Sequence, residues 1–191
     1  MITDERHIQT LIDRLKEGDD AAFDELFHHF KRPIFFVALR MVSNQDDADE
    51  MVQKTFMQAY INIKNFRGES SFKTWLYRIA MNACKDHLKS KEHRAIKIDL
   101  ESPSMRGLKS TFDHPIKKMI RQDQKKVIID RMKNLSSQQK TTVVLRVFED
   151  MAFKEIARIL ECKESTAKVH YHQAILKLKD EFKEDAKGDF I

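Results

Sequence analysis

Apolar side chains recur every three or four residues along most of this chain, which is the spacing of amphipathic helices. The first stripe, Ile8, Leu11, Ile12 and Leu15, ends at Gly18, and Pro33 is expected to kink the second helix near residue 30. The pattern predicts helices over about residues 4–17, from 20 towards 43, 44–63, 70–90, from 116 to beyond 132, 152–160 and 164–183, with a capping box at 136–139.

The periodicity is lost between residues 92 and 117. This stretch contains Ser-Pro-Ser, Gly107 and His-Pro together with an excess of basic side chains, as is typical of a flexible linker. We therefore predict an all-α protein with two small helical domains, residues 1–91 and 118–191, joined by a linker at 92–117.

Composition supports the helical prediction and limits the functions to consider. Four glycines and three prolines in 191 residues leave little material for the turns of an all-β fold. Cys84 and Cys162 lack a CxxC partner, which favours reduced thiols. No signal peptide and no apolar run of membrane-spanning length is present, so we expect a cytoplasmic protein without membrane insertion.

Charge is distributed unevenly along the predicted first domain. Residues 1–50 carry six Lys or Arg against twelve Asp or Glu, whereas residues 51–98 carry ten against three. Such asymmetry favours an acidic surface for a protein partner and a basic surface for a polyanion, although two solvated helix faces would explain the bias equally well.

The segment Phe66–Asn82 combines a glycine-containing polar loop with basic and aromatic side chains. Phosphates attract cations and unpaired bases stack on flat apolar groups, so this mixture favours binding of nucleic acid. Phe66 and Phe72 could instead pack in the core, and Trp75 could pack inside or act as a wedge. The candidate DNA-binding residues are Lys64, Phe66, Arg67, Gly68, Ser70, Ser71, Lys73, Trp75, Arg78 and Asn82.

Two short helices near the C-terminus have the spacing of a helix-turn-helix. Ile156, Ala157 and Leu160 are expected to face the core, with Glu161 in the turn. The outward side chains of the second helix would contact phosphates and base edges in a major groove. They are Ser165, Thr166, Lys168, Val169, His172, Gln173 and Lys177.

The third helix begins with a cluster of acids. A dipole-stabilised helix start would explain them without any partner. Alternatively, an acidic and polar rim around an apolar centre would suit a basic partner helix. The residues of this candidate docking face are Asp46, Asp49, Glu50, Val52, Gln53 and Phe56.

Taken together, these motifs resemble RNA polymerase sigma factors of the extracytoplasmic-function group. The resemblance covers about residues 20–90 and 118–183 and is most specific over 46–82. It implies that the docking face binds a coiled coil of the largest core polymerase subunit, with further contacts to the second-largest. It also implies that the loop at 65–71 captures a base flipped from the promoter −10 element, that the helix-turn-helix reads the −35 element, and that an anti-sigma factor sequesters the protein.

The sequence gives less support to two other functions. An enzyme is disfavoured because HExxH, phosphate-binding glycine loops and a nucleophile elbow are absent, and because the pairs His28-His29 and His170-x-His172 point to different sides of a helix. We therefore expect no catalytic residue, no metal and no cofactor. A helix-turn-helix regulator acting without polymerase would leave Phe66–Asn82 and the acidic helix start without a role.

Overall fold

The structure, a computed structural model, describes residues 5–101 and 131–188, and it describes side chains over 5–91 and 131–181. These residues form helices without a β-strand, as predicted. The α-helices are α1 (Glu5–Lys16), α2 (Asp20–Val42), α3 (Gln45–Asn62), α4 (Phe72–Glu101), α5 (Ser137–Val143), α6 (Phe153–Ile159) and α7 (Glu164–Gly188). Short 3₁₀ turns cover Ile63–Asn65 and Met132–Asn134, and a π-helical segment covers Val144–Phe148.

Local capping explains where several helices begin. The Asp19 carboxylate accepts from the Ala21 amide at the start of α2, and the Asn44 side chain accepts from the Asp47 amide at the start of α3. The predicted capping box at Ser136 and Gln139 is present, with both reciprocal hydrogen bonds. Each cap satisfies amide groups that have no partner inside the helix.

α2 has its predicted extent, whereas α4 extends further than the periodicity indicated. α2 continues through Pro33, whose neighbours Phe30 and Ile34 are buried; packing of that face offsets the missing amide donor. α4 continues past the predicted end near residue 90, into the span predicted as linker. The rest of that linker and the helix expected from 116 up to residue 130 lie outside the described residues, so the domain boundaries stay a prediction.

Helices α1–α4 form the first domain around a shared core. The core includes Leu11, Leu26, Met51 and Leu76, all buried. Helices α5–α7 form the second domain, in which Leu145, Ile156 and Ala167 are buried and α6 packs on α7 as a helix-turn-helix. Within the described ranges, no helix has both the length and the apolar character needed to cross a bilayer.

The two domains pack directly on each other. α4 contacts α6, and the C-terminal half of α2 contacts the π-helical segment. Buried Lys140 of α5 donates from its Nζ to the Met41 carbonyl at 2.8 Å. This carbonyl lies in the last turn of α2, where acceptors lack helical partners and a cation is favoured.

Candidate nucleic-acid interface

Buried aromatic side chains anchor the loop between α3 and α4. Phe66 and Phe72 are both buried, with ring centroids 5.9 Å apart, and Phe66 lies 5.3 Å from Trp75. From α1, the Lys16 Nζ donates to the Phe66 carbonyl at 2.8 Å. Of the two roles left open for Phe66 and Phe72, the structure therefore supports core packing: the two rings hold the loop in place.

The polar end of the loop leads into the N-terminus of α4. Gly68 has a φ of 74°, a left-handed conformation that suits glycine, and a Cβ there would meet no atom within 4 Å. The Ser71 hydroxyl accepts from the Thr74 amide at 3.1 Å, which makes Ser71 the N-cap of α4. Ser70 is half-buried and its hydroxyl donates to the Ser71 carbonyl at 3.3 Å.

This loop borders an open cavity of about 650 Å³, here called the loop cavity. Aromatic rings and polar groups together make its wall, a combination suited to a flat heteroaromatic ring with hydrogen-bonding edges. Its lining includes Gln9, His29, Phe30, Phe66, Gly68, Ser70, Ser71, Phe72, Lys73 and Glu155. Burial lowers the pKa of His29, which keeps its imidazole neutral at neutral pH and able to both donate and accept.

A second open cavity, of about 840 Å³, lies in the groove between α3 and α4. Trp75, Arg78 and Asn82 line it, beside Met57 and Gln58 of α3. Trp75 thus fits both interpretations, since one part of its half-buried ring system packs on the loop aromatics and another part faces this groove. Eight of the ten predicted DNA-binding residues are therefore divided between two neighbouring cavities, and Lys64 and Arg67 line neither of the two.

Several of the predicted DNA-binding cations contact the second domain in this arrangement. The Lys73 Nζ lies 3.4 Å from the Glu149 carbonyl oxygen, and Arg78 lies 3.6 Å from the Glu161 carboxylate. In contrast, Lys64 and Arg67 are exposed. A polyanion could reach Lys64 and Arg67 in the packed arrangement, whereas it would have to displace second-domain oxygens from Lys73 and Arg78.

The acidic face of α3 is polar at its surface. Asp46, Glu50 and Gln53 are exposed and Asp49 is half-buried. Val52 and Phe56, expected to form the apolar centre of this face, are each only 3% exposed. That expectation was wrong because both side chains are used in the core.

The exposed apolar side chains of α3 lie further along the helix. They are Met57, Tyr60 and Ile61, at 58%, 44% and 62% exposure. The Tyr60 hydroxyl donates to the Asp20 carboxylate at 2.8 Å, which holds that ring against α2. Met57 and Ile61 lie about 100° and about 140° around the helix from Phe56, outside the apolar stripe, and neither belongs to the candidate docking face.

The second helix of the helix-turn-helix presents the predicted side chains to solvent. Six of the seven candidates are exposed and Thr166 is half-buried. The Gln139 amide donates to the Gln173 side-chain oxygen at 3.3 Å, and Lys168 pairs with Glu164 at 2.7 Å. Glu161 in the preceding turn has a φ of 53°, the left-handed conformation that costs a non-glycine residue about 1 kcal/mol.

An acidic contact between the domains was not predicted. The Tyr77 hydroxyl donates to the Glu149 carboxylate at 2.6 Å, and Arg40 lies 3.8 Å from the same carboxylate. The Arg40 guanidinium also stacks 4.2 Å from the centroid of the Phe148 ring. Burial, followed by the charge of Glu149, raises the pKa of Tyr77, whereas burial lowers the pKa of Arg40 despite that charge.

Comparison with known proteins connects this architecture to transcription. Residues 26–94 match the family model of sigma-70 region 2, and residues 125–178 match that of sigma-70 region 4. The ECF RNA polymerase sigma-E factor of Haemophilus influenzae is 32% identical over 87% of this chain and 90% of its own length. The RNA polymerase sigma-H factor of Pseudomonas aeruginosa is 30% identical over 91% of this chain and 92% of its own.

Solved structures share the fold. CnrH, solved with the cytosolic domain of CnrY, matches with a TM-score of 0.67 over 95% of this chain and 99% of its own, at 19% identity. The sigma factor RpoE of Bartonella quintana, solved with the anti-sigma factor NepR, gives a TM-score of 0.67 over 84% and 96%, at 21% identity. The chain therefore belongs to the extracytoplasmic-function group of RNA polymerase sigma factors, non-enzymatic proteins that bind core polymerase and promoter DNA and direct promoter-specific initiation of transcription.

Proposed function

We propose that the loop cavity captures one base of the promoter −10 element after it leaves the duplex. The observation that carries this proposal is the cavity itself, walled by aromatic rings and serine hydroxyls, with the exposed cation Arg67 in the adjoining loop and Lys73 at its edge. Contacts to an unpaired base would offset an unstacking cost of a few kcal/mol, so opening needs no nucleotide hydrolysis. Trp75, Arg78 and Asn82 would contact the neighbouring duplex in the α3–α4 groove.

In the same proposal, the exposed face of α7 reads the −35 element and the acidic face of α3 binds the largest subunit of core polymerase, with the second-largest subunit also in contact. Promoter engagement then requires the domains to separate, because Lys73 and Arg78 contact second-domain oxygens in the packed arrangement. We place the region 2 domain at residues 1–91, a linker at 92–117 and the region 4 domain at 118–191.

We further propose a cytoplasmic protein held inactive by an anti-sigma factor. Both fold relatives described above were solved as complexes, CnrH with the cytosolic domain of CnrY and the Bartonella quintana RpoE with the anti-sigma factor NepR. An anti-sigma partner of this chain would cover its DNA-facing surfaces until a signal releases it.

The test of base capture is a transcription assay with core polymerase on a promoter that the wild-type protein opens. Replacing Arg67 and Lys73 with Ala removes two charge-assisted contacts of about 1.5–3 kcal/mol each, so open complex should fall at least about tenfold. Lys31→Ala with Lys89→Ala is the matched control, because it removes two exposed cations elsewhere in the first domain. Normal strand opening, read by permanganate reactivity of unpaired thymines, would refute the loop assignment.

Polymerase docking is tested separately by gel filtration with core enzyme. Asp49→Lys with Glu50→Lys should abolish the complex because the acidic rim becomes basic. Asp13→Lys with Glu17→Lys reverses two exposed acids, one in the last turn of α1 and one just after it, and should leave the complex intact. A regulator that acts without polymerase would form no stoichiometric complex even as wild type.

A further inference from the structure

Three side chains that are distant in sequence meet where α3 begins against α4. Asp47 and Glu50 lie on one face of α3, and His87 reaches them from α4. One ligand atom from each of the three lies within 4.8 Å of the others. The spacing rules applied to adjacent histidines could not find this group, because only tertiary packing assembles it.

The histidine of this cluster has an ion-pair contact but no hydrogen bond at its buried nitrogen. Its side chain is 9% exposed, and its buried Nε2 has no hydrogen bond. The Asp47 carboxylate lies 3.3 Å away, close enough for an ion pair but outside hydrogen-bonding geometry. A buried nitrogen without a hydrogen bond is costly, and here it lies 3.3 Å from the Asp47 carboxylate, with Glu50 in the same cluster.

Two lysines now neutralise the carboxylates. The Lys91 Nζ lies 2.9 Å from Asp47, and the Lys54 Nζ lies 2.6 Å from Glu50. Both lysine side chains are more than half exposed, so they can swing into solvent at little cost. Burial opposes ionisation of Asp47, but Lys91 and, to a smaller extent, His87 outweigh it and leave the pKa of Asp47 below its ordinary value.

We propose that Asp47, Glu50 and His87 bind a divalent first-row transition metal ion of the Zn²⁺ type, with water completing the coordination. One imidazole and two carboxylates form a nitrogen and oxygen donor set typical of such ions, whereas Ca²⁺ requires six or more oxygens. The ion takes the place of the two ammonium groups and gives the His87 Nε2 a partner. Bound there, it ties the start of α3 to α4.

The metal site also has a consequence that rests on the proposed function. Glu50 belongs to the proposed polymerase-docking face, so an ion that holds this carboxylate withdraws it from the partner. Metal binding itself is measured on the free chain without polymerase, so failure of the docking proposal would leave the metal site unaffected.

Calorimetric titration of ZnCl₂ into the full chain tests the site, in a Cys162→Ser background that removes the more accessible thiol. One ion should bind, and Glu50→Gln should weaken binding by about tenfold or more, a factor that even second-sphere ligand changes reach. Asp46→Asn is the matched control, since it removes an exposed acid of the same helix turn that is not a ligand, and it should leave the affinity unchanged.

A second pair of variants separates ligation from a structural role. Lys91→Met removes a competing ammonium and should tighten Zn²⁺ binding, whereas Lys89→Met, an exposed lysine on the same helix, should not. A cluster that only packs would show no gain in affinity on losing Lys91. The proposal is overturned if no saturable binding occurs, if Glu50→Gln and Asp46→Asn behave alike, or if Lys91→Met fails to tighten binding.

Discussion

Replacing Glu149 with Gln should shift the two domains from the packed arrangement towards a separated one. Glu149 is the acceptor for the Tyr77 hydroxyl at 2.6 Å and the counter-ion of Arg40 at 3.8 Å. The Arg40 and Glu149 side chains are only 19% and 13% exposed, so water screens this pair weakly. Glutamine keeps the size of the side chain and removes only the charge.

The magnitude follows from these two contacts. A neutral acceptor in place of a charged one costs the Tyr77 hydrogen bond about 1 kcal/mol. Breaking a buried ion pair costs about 3–5 kcal/mol, and the 3.8 Å separation and the residual exposure reduce this to about 1–2 kcal/mol here. A total of about 2–3 kcal/mol corresponds to a change of about 30- to 150-fold in the ratio of packed to separated molecules.

Single-molecule energy transfer measures that ratio directly. Dyes placed on Gln58→Cys and Lys179→Cys, both exposed sites, report the distance between the domains in a Cys162→Ser background. Glu164→Gln is the matched control, because it neutralises an exposed acid whose only described ion pair is with Lys168 on the same helix. An unchanged packed fraction in Glu149→Gln, or an equal change in Glu164→Gln, would refute the role assigned to Glu149.

Three further predictions concern single side chains. Iodoacetamide should modify Cys84 at least about tenfold more slowly than Cys162, because burial raises the pKa of the Cys84 thiol to about 12. Mass spectrometry measures both modification rates, and comparable rates would contradict the burial of Cys84. Glu161→Gly should raise the unfolding free energy by about 1 kcal/mol by removing the strain of its positive φ, measured by urea titration, and a lower stability would contradict that cause. Burial lowers the pKa of Lys140 from 10.5, so in the alkaline range below 10.5 the unfolded chain binds this proton more readily than the folded one. The unfolding free energy should therefore rise with pH in that range. Urea titrations of Lys140→Met should show a weaker dependence of the unfolding free energy on pH, and the same dependence as wild type would contradict the lowered pKa.

Features that depend on a few neighbouring residues were predictable from the sequence. The capping box at Ser136 and Gln139 is confirmed, and like the caps at Asp19 and Asn44 it acts on amides two or three residues away. The exposed face of α7 is also as predicted, because helical periodicity fixes which side chains oppose the buried Ala167 and Leu178. Even the turn residue Glu161 has the positive φ that its position in a helix-turn-helix demands.

Features that depend on distant packing were not predictable. Val52 and Phe56 lie on the apolar stripe of α3, and the packing of α2 covers them: the Phe27 and Phe56 rings lie 4.7 Å apart. No sequence pattern predicted the contact between Glu149 and Arg40, because more than a hundred residues separate them. The same holds for the Asp47 and His87 pair, which belongs to two different helices.

The hydrogen bond from Lys16 to the Phe66 carbonyl has a practical consequence for anyone working with fragments of this protein. The region 2 match begins at residue 26, so α1 lies entirely upstream of the family boundary. A fragment that begins at residue 26 would keep every residue predicted to contact the −10 element, yet it would lose the hydrogen bond from Lys16 that holds their loop. Weak promoter melting by such a fragment would then result from the loss of α1 and its hydrogen bond to the loop. The first sixteen residues should therefore be included in any fragment used to study strand capture.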